Sequence, residues 1–406
     1  MLYLLPLLGL GLAEAGTAGK DRCSLTSRRT DTELRIFLVT LSPGDQLWSA
    51  FGHSTVWVSD GESKTDESYN WGTFDPNQPN LLGSYLNGTL RYWPNVEPYA
   101  RDLYRYNKLQ NRTVTAQRLD LPPAQLESLH AAIQEERKPE NREFIYHWVR
   151  NSCATKIRDR IDEAMNGKLK EQLDTGVDKT LRQEALRHLW NKPFIWFGWN
   201  YLASEWVDRP SSKWELTYSP VLMKEAAEEA VVEWPDGSVK PLVSYTCTAE
   251  GGLDWAPEEP PAWSAELFGI GSAGGLSLFL ATMLPWGRTR RFLVGTGVAA
   301  AGTGAGLFGL IHAGLFWSAL DGLHPNANQL LCSPLHLAGV PAGIAIMRGR
   351  KGWPANAIGI AAALAALALV LKISPFGVQD NLPLVLFFLP LYTGLWLAAR
   401  KLERAG

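Results

Sequence analysis

The feature that most constrains this chain is a series of apolar runs in its last third. Five such runs recur, at roughly 264–284, 292–317, 333–347, 354–373 and 382–399. Each is near the ~20 residues that a helix needs to cross a bilayer, although the third is short enough to be tilted or incomplete. We therefore predict a transmembrane helical domain at residues 264–406, built from about five spans.

The charged residues divide the chain at the same point. Residues 1–263 carry 29 Lys and Arg against 37 Asp and Glu, whereas residues 264–406 carry 10 basic and 4 acidic side chains. The near-neutral total of −2 argues against a nucleic-acid-binding protein. The 17 Trp, 14 Phe and 12 Tyr residues argue against low-complexity disorder, because they can bury a sizeable core. We expect a soluble domain at residues 19–263.

The basic residues between the apolar runs predict which way the protein faces. They cluster in the first connector, the third connector and the C-terminal tail, as Arg288, Arg290, Arg291, Arg348, Arg350, Lys351, Arg400, Lys401 and Arg404. The second and fourth connectors, at about 318–332 and 374–381, contain no Lys or Arg. Under the positive-inside rule the C-terminus is therefore cytoplasmic and the soluble domain lies on the outer, periplasmic face.

The N-terminus is consistent with export. Leu2–Leu12 is apolar and is followed by small residues, so residues 1–18 are expected to be a signal peptide or a short N-terminal anchor. An exported domain would lie in an oxidising compartment, where Cys23 and Cys247, near its two ends, could form a disulfide. Cys332, at the outer end of the third run, is expected to be a buried small residue, which leaves Cys153 unexplained.

Strand patterns precede Cys153 by about a hundred residues. Leu34–Leu41 reads as a buried strand, and after a Pro-Gly-Asp turn His53 leads into a second strand, Thr55–Val58. A third strand-like piece covers Tyr69–Gly72, and helical periodicity extends over Pro122–Arg137. At the start of a core strand, the His53 ring would be held rigidly.

Cys153 is predicted to lie in the first turn of a helix. Lys156–Met165 has an amphipathic pattern, and Asn151 or Ser152 is a suitable N-cap and a candidate for an oxyanion site. The N-terminal end of a helix carries unpaired N–H groups and about half a positive charge, both of which favour thiolate over thiol. With an imidazole beside it, such a cysteine is a nucleophile. The alternative is a packed core thiol and an unrelated, satisfied core histidine.

Several motifs together resemble a known family. They are Phe-Gly-His at 51–53, Tyr-Asn-Trp-Gly-Thr-Phe-Asp at 69–75, Asn-Gly-Thr-Leu-Arg-Tyr at 87–92, Asn-Arg at 111–112 and Asn-Ser-Cys-Ala-Thr at 151–155. This set resembles the Lnb N-terminal periplasmic domain, and the Pro43-Gly-Asp…Gly-His segment is similar to NlpC/P60 and papain-like enzymes. The resemblance implies an α+β fold, a circularly permuted papain-like (NlpC/P60) domain as in lecithin:retinol acyltransferase-like proteins, followed by about five transmembrane helices.

The resemblance also implies an activity, apolipoprotein N-acyltransfer at the outer face of the bacterial inner membrane. Cys153 would be the nucleophile and His53 its general base, and Asn70 is our choice for the group that orients the imidazole, with Tyr69 and Asp75 as close rivals. The acyl donor would be a phospholipid and the acceptor a diacylglyceryl lipoprotein. No nucleotide, metal or other cofactor is implied.

Other polar residues are candidates for binding substrate. Arg91 and Arg112 could bind a lipid phosphate, or form ordinary surface ion pairs. His324, Asn326 and Asn328 lie in the predicted outer loop and could contact headgroups or close the site, or only cap the loop. The aromatic segment 194–206 is as consistent with core packing as with a membrane-interface role.

Two features and two rival functions complete the prediction. The Gly-x-Gly-x-x-Gly match at 269–274 lies inside an apolar run, so small-residue helix packing is favoured over a nucleotide site. Gly302, Gly304 and Gly306 are interpreted in the same way.

Two other functions are alternatives to acyl transfer. One is a membrane-anchored cysteine peptidase or amidase of the same fold, and the other is a catalytically silent module that binds lipids or partners.

Overall fold

The computed structural model describes residues 32–75, 77–373 and 379–405. It shows a mixed α and β N-terminal domain, built on a sheet and followed by five candidate membrane-spanning helices. The predicted leader at residues 1–18 and Cys23 lie outside the described residues.

A seven-stranded antiparallel sheet organises the N-terminal domain, in the order β11-β5-β1-β2-β3-β4-β6. Two further pairs of short strands, β7 with β8 and β9 with β10, lie beside it. The strands are β1 (Leu34–Leu41), β2 (His53–Asp60), β3 (Thr65–Thr73), β4 (Arg91–Pro98), β5 (Val114–Leu119), β6 (Phe144–Ile145), β7 (Gly176–Val177), β8 (Ser211–Ser212), β9 (Val231–Glu233), β10 (Val239–Pro241) and β11 (Val243–Ala249).

Nine α-helices accompany these strands in the described part of the N-terminal domain. They are α1 (Leu81–Leu86), α2 (Tyr99–Leu103), α3 (Pro123–Glu136), α4 (Cys153–Ala164), α5 (Lys168–Leu173), α6 (Leu181–His188), α7 (Pro193–Leu202), α8 (Lys213–Leu216) and α9 (Pro220–Glu229). Helices α3 and α4 pack against each other, and α4 also packs against β2 and β3. The apolar faces of these elements form the main core, where Leu129, Ile133, Ile157 and Ile161 meet Val56 and Val58.

The predicted strands and helix before Cys153 are confirmed. β1 covers the predicted residues, and six of its eight residues are buried, which explains why the pattern is a continuous apolar run. β2 is longer than predicted and begins at His53 itself. The helix predicted over Pro122–Arg137 is α3, within one residue at each end.

The five apolar runs form five candidate membrane spans. Four are single helices, α10 (Ser264–Ala281), α11 (Gly287–Leu315), α13 (Trp353–Ile373) and α14 (Leu382–Ala405). The third span, Ala327–Met347, consists of two short 3₁₀ turns followed by α12 (Gly339–Met347). The run that looked too short is therefore extended at its N-terminal end by turns that the apolar pattern does not reveal.

Small residues pack the membrane helices, as predicted for the glycine motif. A Cβ atom on Gly271 or Gly275 would collide with backbone atoms of α14, whereas Gly269 has nothing nearby. Gly302 and Gly306 are packed in the same way against the third span, but Gly304 is not. The motif is therefore a helix-packing surface.

Helix α7 joins the two domains. Phe197 packs against Phe387 and Phe388 of α14, and the Tyr201 hydroxyl donates a hydrogen bond to the carbonyl of Cys332. At the other end of α7, Phe194 is 91% exposed. The aromatic segment thus packs onto the outer end of the membrane bundle and also presents apolar surface.

Candidate active site

Cys153 is the first residue of α4. The helix begins there because Ser152 is its N-cap, and the side chains of Ser152 and Thr155 form a reciprocal capping box with each other's backbone N–H groups. Of the two predicted caps, Ser152 is therefore the one used. The Asn151 side chain instead donates to the carbonyl of Ile145 at 2.7 Å, so it neither caps the helix nor faces the cysteine.

His53 and Asn70 meet across neighbouring strands. The Nε2 atom of His53, at the start of β2, lies 2.8 Å from Oδ1 of Asn70 on β3. His53 also hydrogen-bonds to the Cys153 thiol. Because Nε2 is hydrogen-bonded to Asn70, this second bond is made by Nδ1. The structure thus brings together the three residues selected from the sequence as nucleophile, base and orienting group.

Asn70 is itself fixed by two further hydrogen bonds. Its Nδ2 donates to the Tyr106 hydroxyl at 2.9 Å, and its Oδ1 accepts from the N–H of Gly72 at 2.9 Å. The two other candidates for the orienting group make different hydrogen bonds. The Tyr69 hydroxyl bonds to Glu67 and Gln134. Asp75 accepts from the N–H of Asn77 in an exposed turn. Tyr69 follows the alternation of the strand into the core, which sends Asn70 to the other face.

Gly72 lets the imidazole approach β3 closely. A Cβ atom at this position would lie 2.6 Å from Cε1 of His53 and 3.0 Å from its Nε2. Both distances are far below van der Waals contact, so any side chain here would displace the ring. Gly72 is therefore a positioning residue of the site.

The charges of the pair favour a thiolate beside an imidazolium. Burial raises the pKa of the Cys153 thiol, but the charge and hydrogen bond of His53 and the N–H groups of Ser54 and Ala154 together lower that pKa below its ordinary value. Burial likewise lowers the pKa of His53, but the Cys153 charge, its hydrogen bond and that of Asn70 raise the pKa above its ordinary value. The two groups titrate as a pair, and such an ionised pair can act as a nucleophile.

The same N–H groups supply a candidate oxyanion site. The backbone N–H groups of Ser54 and Ala154 both point at the sulfur of Cys153. An acyl group attached to that sulfur would place its carbonyl oxygen close to donors of this kind. The arrangement could therefore supply a nucleophile, a base with an orienting partner, and fixed donors for a developing negative charge.

These residues open into one large cavity of about 1170 Å³. That volume exceeds the roughly 300–1,000 Å³ of pockets for drug-sized ligands. Cys153, His53, Asn70 and Ser152 line one part of it, and the wall beside them is aromatic: Phe74, Tyr85, Tyr92, Tyr146 and Trp148. The cavity continues to the membrane domain, where its lining residues are Leu315, Leu320, Asp321, Gly322 and Leu323.

A comparison with known families identifies the N-terminal part of the chain. Residues 25–187 match the family model described as the Lnb N-terminal periplasmic domain. The chain carries an Lnb-type periplasmic domain. The match contains His53, Asn70 and Cys153, and the five candidate spans that follow make the whole chain a multi-pass membrane protein with a periplasmic domain. No curated protein and no solved structure matches the chain significantly.

The two arginine candidates of the Lnb-type domain have different surroundings. Arg91 is exposed and forms a surface ion pair with Glu143 at 2.9 Å, outside the cavity, so the ion-pair interpretation holds for it. Arg112 is 2% exposed and lines the cavity, and its Nε donates to the carbonyl of Ser42 at 2.6 Å. The expectation of a surface ion pair is wrong for Arg112.

The polar outer-loop candidates do not line the cavity. Asn326 donates to the carbonyls of Tyr201 and Leu202, and Asn328 donates to those of Asn200 and Tyr201. The Nε2 of His324 bonds to the carbonyl of Ser318 at 3.0 Å. These three side chains hold the end of α7 and shape the loop, so the structure favours capping over substrate binding.

Other residues of the outer loop brace the Lnb-type domain next to Cys153. Arg150 forms an ion pair with Asp321 at 2.5 Å, and the Ser318 hydroxyl donates to the carbonyl of Leu86. Arg150 lies three residues before Cys153, in the hairpin that leads into α4. The membrane domain therefore contacts the segment that delivers the nucleophile.

Cys247 is disulfide-bonded, whereas Cys153 and Cys332 are free thiols and Cys332 is buried, as expected. The expected partner of Cys247 is Cys23, which lies outside the described residues, so that pairing stays a prediction.

Three features of the site were not predicted from the sequence: Tyr106, Gly72 and the aromatic wall. Gly72 and Phe74 lie within the 69–75 motif, which was a usable signal, but nothing local distinguishes Tyr106 from its neighbours.

Proposed function

We propose that this protein is a thiol-dependent acyltransferase, which moves a fatty acyl chain from a membrane phospholipid to the α-amine of the lipidated N-terminal cysteine of bacterial lipoproteins. The observation that carries the proposal is the single cavity that runs from Cys153 and His53 to the outer end of α11 and the loop after it. Such a cavity would let a lipid of the outer leaflet reach the thiol from the end of a membrane span. The cavity walls are mostly apolar, which suits acyl chains.

In the first step the Cys153 thiolate attacks an ester carbonyl carbon of the phospholipid. As the C–S bond forms, the negative charge moves to the carbonyl oxygen, where the N–H groups of Ser54 and Ala154 stabilise it. The C–O ester bond then breaks, and the His53 imidazolium gives its proton to the departing oxygen. The products are an acyl-thioester on Cys153 and a lysophospholipid.

In the second step the neutral α-amine of the acceptor attacks the thioester carbonyl. His53, now neutral, accepts a proton from the amine nitrogen as the C–N bond forms, and the C–S bond breaks to restore the thiolate. Because an amide is more stable than a thioester, the transfer runs downhill without nucleotide hydrolysis. The imidazolium and thiolate are regenerated together, so the cycle closes.

The test is an acyl adduct on the predicted nucleophile. The full chain, purified in detergent and incubated with phospholipid, is expected to carry an acyl group on the Cys153 peptide by mass spectrometry. The adduct should be labile to neutral hydroxylamine and absent from Cys153→Ala. Cys332→Ala is the matched control, because Cys332 is the other free thiol and is buried in the membrane domain.

The acceptor separates acyl transfer from its rivals. In cells, Cys153→Ala should leave lipoprotein N-termini without the added acyl chain. Peptidoglycan or protein fragments that disappear in this variant, with lipoproteins unchanged, would instead identify a peptidase or amidase. Full biological function in both Cys153→Ala and His53→Ala would identify a binding module and overturn the proposal.

A further inference from the structure

Arg112 is a buried cation inside the catalytic cavity. Its side chain hydrogen-bonds to the carbonyls of Ser42 and Leu41 and to Oε1 of Gln110, at 2.6, 3.5 and 3.4 Å. The guanidinium also lies over the ring of Tyr106, 5.5 Å from the ring centroid. A guanidinium has five N–H donors, so these contacts leave donors available toward the cavity.

No carboxylate neutralises this charge in residues 32–75, 77–373 and 379–405. The two carboxylates in the cavity wall are Asp321, which pairs with Arg150, and Asp45, which is exposed at the rim. Burial lowers the pKa of Arg112 to about 10, and the only groups that oppose this are Tyr106 and the Cys153 thiolate. An unpaired buried charge is costly, which is a reason to expect an anionic ligand beside it.

The rest of the cavity indicates what that anion is attached to. Gln110 and Asn111, which precede Arg112 in the chain, also line the cavity, and so do Leu315, Leu320 and Leu323 of the membrane domain. A mostly apolar cavity that holds a buried cation and a thiol nucleophile fits an amphiphile with an anionic group. In a glycerophospholipid only the glycerol separates the phosphate from the two ester carbonyls.

We propose that Arg112 binds the phosphate of the donor lipid and thereby places an ester carbonyl at Cys153. This inference rests on the proposed acyl transfer and adds the recognition element of the donor. Planar guanidinium groups bind phosphate through two parallel hydrogen bonds, which orients the ligand as well as holding it. Arg112 is then a determinant of donor specificity and takes no part in the bond-making steps.

The experiment compares two donors with the same acyl chains, phosphatidylglycerol and diacylglycerol, in detergent micelles. The rate of acyl-Cys153 formation is measured by mass spectrometry for the wild-type chain, Arg112→Gln and Arg112→Lys. We expect Arg112→Gln to lower kcat/KM for phosphatidylglycerol about 10- to 100-fold. The same variant should have little effect on kcat/KM for diacylglycerol. Arg112→Lys should recover part of the loss. Arg91→Gln, at a surface ion pair, is the matched control and should act on both donors as the wild type does.

Three outcomes would overturn the assignment. Equal losses on both donors would show that Arg112 supports the fold or the reacting oxyanion, and an unchanged rate on phosphatidylglycerol would show that it binds no phosphate. If the wild type used diacylglycerol as well as phosphatidylglycerol, and inorganic phosphate altered both reactions in the wild type and neither in Arg112→Gln, the residue would serve free phosphate instead of a lipid headgroup. Failure of the acyl-transfer proposal itself is distinct, because no adduct would then form from either donor.

Discussion

Two polar clusters of this protein look alike in the sequence and differ in the structure. The first, at the junction of β2, β3 and α4, contains His53, Asn70 and Cys153; the second, in the outer loop, contains His324 and Asn328. In the second cluster the amides are engaged by backbone carbonyls at the end of α7. In the first, the thiol and the imidazole are held in position and still open into a cavity.

The two clusters differ in the partners of their polar side chains. A polar side chain whose donors are consumed by main-chain carbonyls stabilises the fold. A polar side chain that is oriented by one partner and faces a cavity with its other side can act on a ligand. The contrast predicts that substitutions in the first cluster change turnover and substitutions in the second change stability.

The largest effect is expected for the base itself. His53→Gln keeps a polar side chain of similar size but removes the proton acceptor and the charge that lowers the pKa of Cys153. General acid–base catalysis contributes about 10²–10⁴-fold, so acyl-Cys153 formation should slow by that factor. Single-turnover mass spectrometry measures the rate, and thermal unfolding should show little change. If His53→Gln lowered the unfolding temperature as well as the acylation rate, His53 would stabilise the fold, as the residues of the second cluster do.

A positioning effect comes next. Gly72→Ala adds one methyl group against the imidazole and should displace it, lowering the acylation rate by about 10²-fold, as expected for a shift of about 1 Å at a reacting centre. Gly176→Ala is the matched control, because nothing lies within 4 Å of a Cβ atom there. If Gly72→Ala kept the wild-type rate, the close approach of β3 would have no catalytic role.

The contrast also explains how much could be predicted from the sequence. The strand of His53, the cap of α4 and the spans were predictable because each depends on local pattern, such as a capping residue before an amphipathic run. Arg112 and Asn328 depend instead on what the folded chain places around them. Arg112 lies in a loop and Asn328 in a short 3₁₀ turn. Only tertiary contacts show that Arg112 is an unneutralised cation in a cavity and that Asn328 holds the end of α7.

A stability effect is expected in the second cluster. Asn328→Ala would remove one of the side-chain donors to the carbonyls of Asn200 and Tyr201 and would leave Nδ2 of Asn381 without its acceptor in a buried site, so it should destabilise the protein by about 1–3 kcal/mol. The check is a lower Tm of the detergent-solubilised chain, with an unchanged acylation rate well below that temperature. Asn191→Ala, at an exposed position, is the control and should leave Tm unchanged. If Asn328→Ala lowered the acylation rate without changing Tm, Asn328 would instead contribute to substrate binding.

The smallest effect is a displacement of the pH profile. The ionised pair should give a bell-shaped dependence of kcat/KM on pH, whose alkaline limb reports loss of the imidazolium proton. The hydrogen bond that His53 Nε2–H donates to Oδ1 of Asn70 raises the pKa of His53, so Asn70→Ala should lower that pKa and move the alkaline limb to lower pH. Asn70→Asp adds a negative charge beside Nε2, which favours the imidazolium and should move the limb to higher pH. Shifts in the same direction for both variants would show that Asn70 acts only by holding the ring, and that its effect on the charge of the pair is negligible.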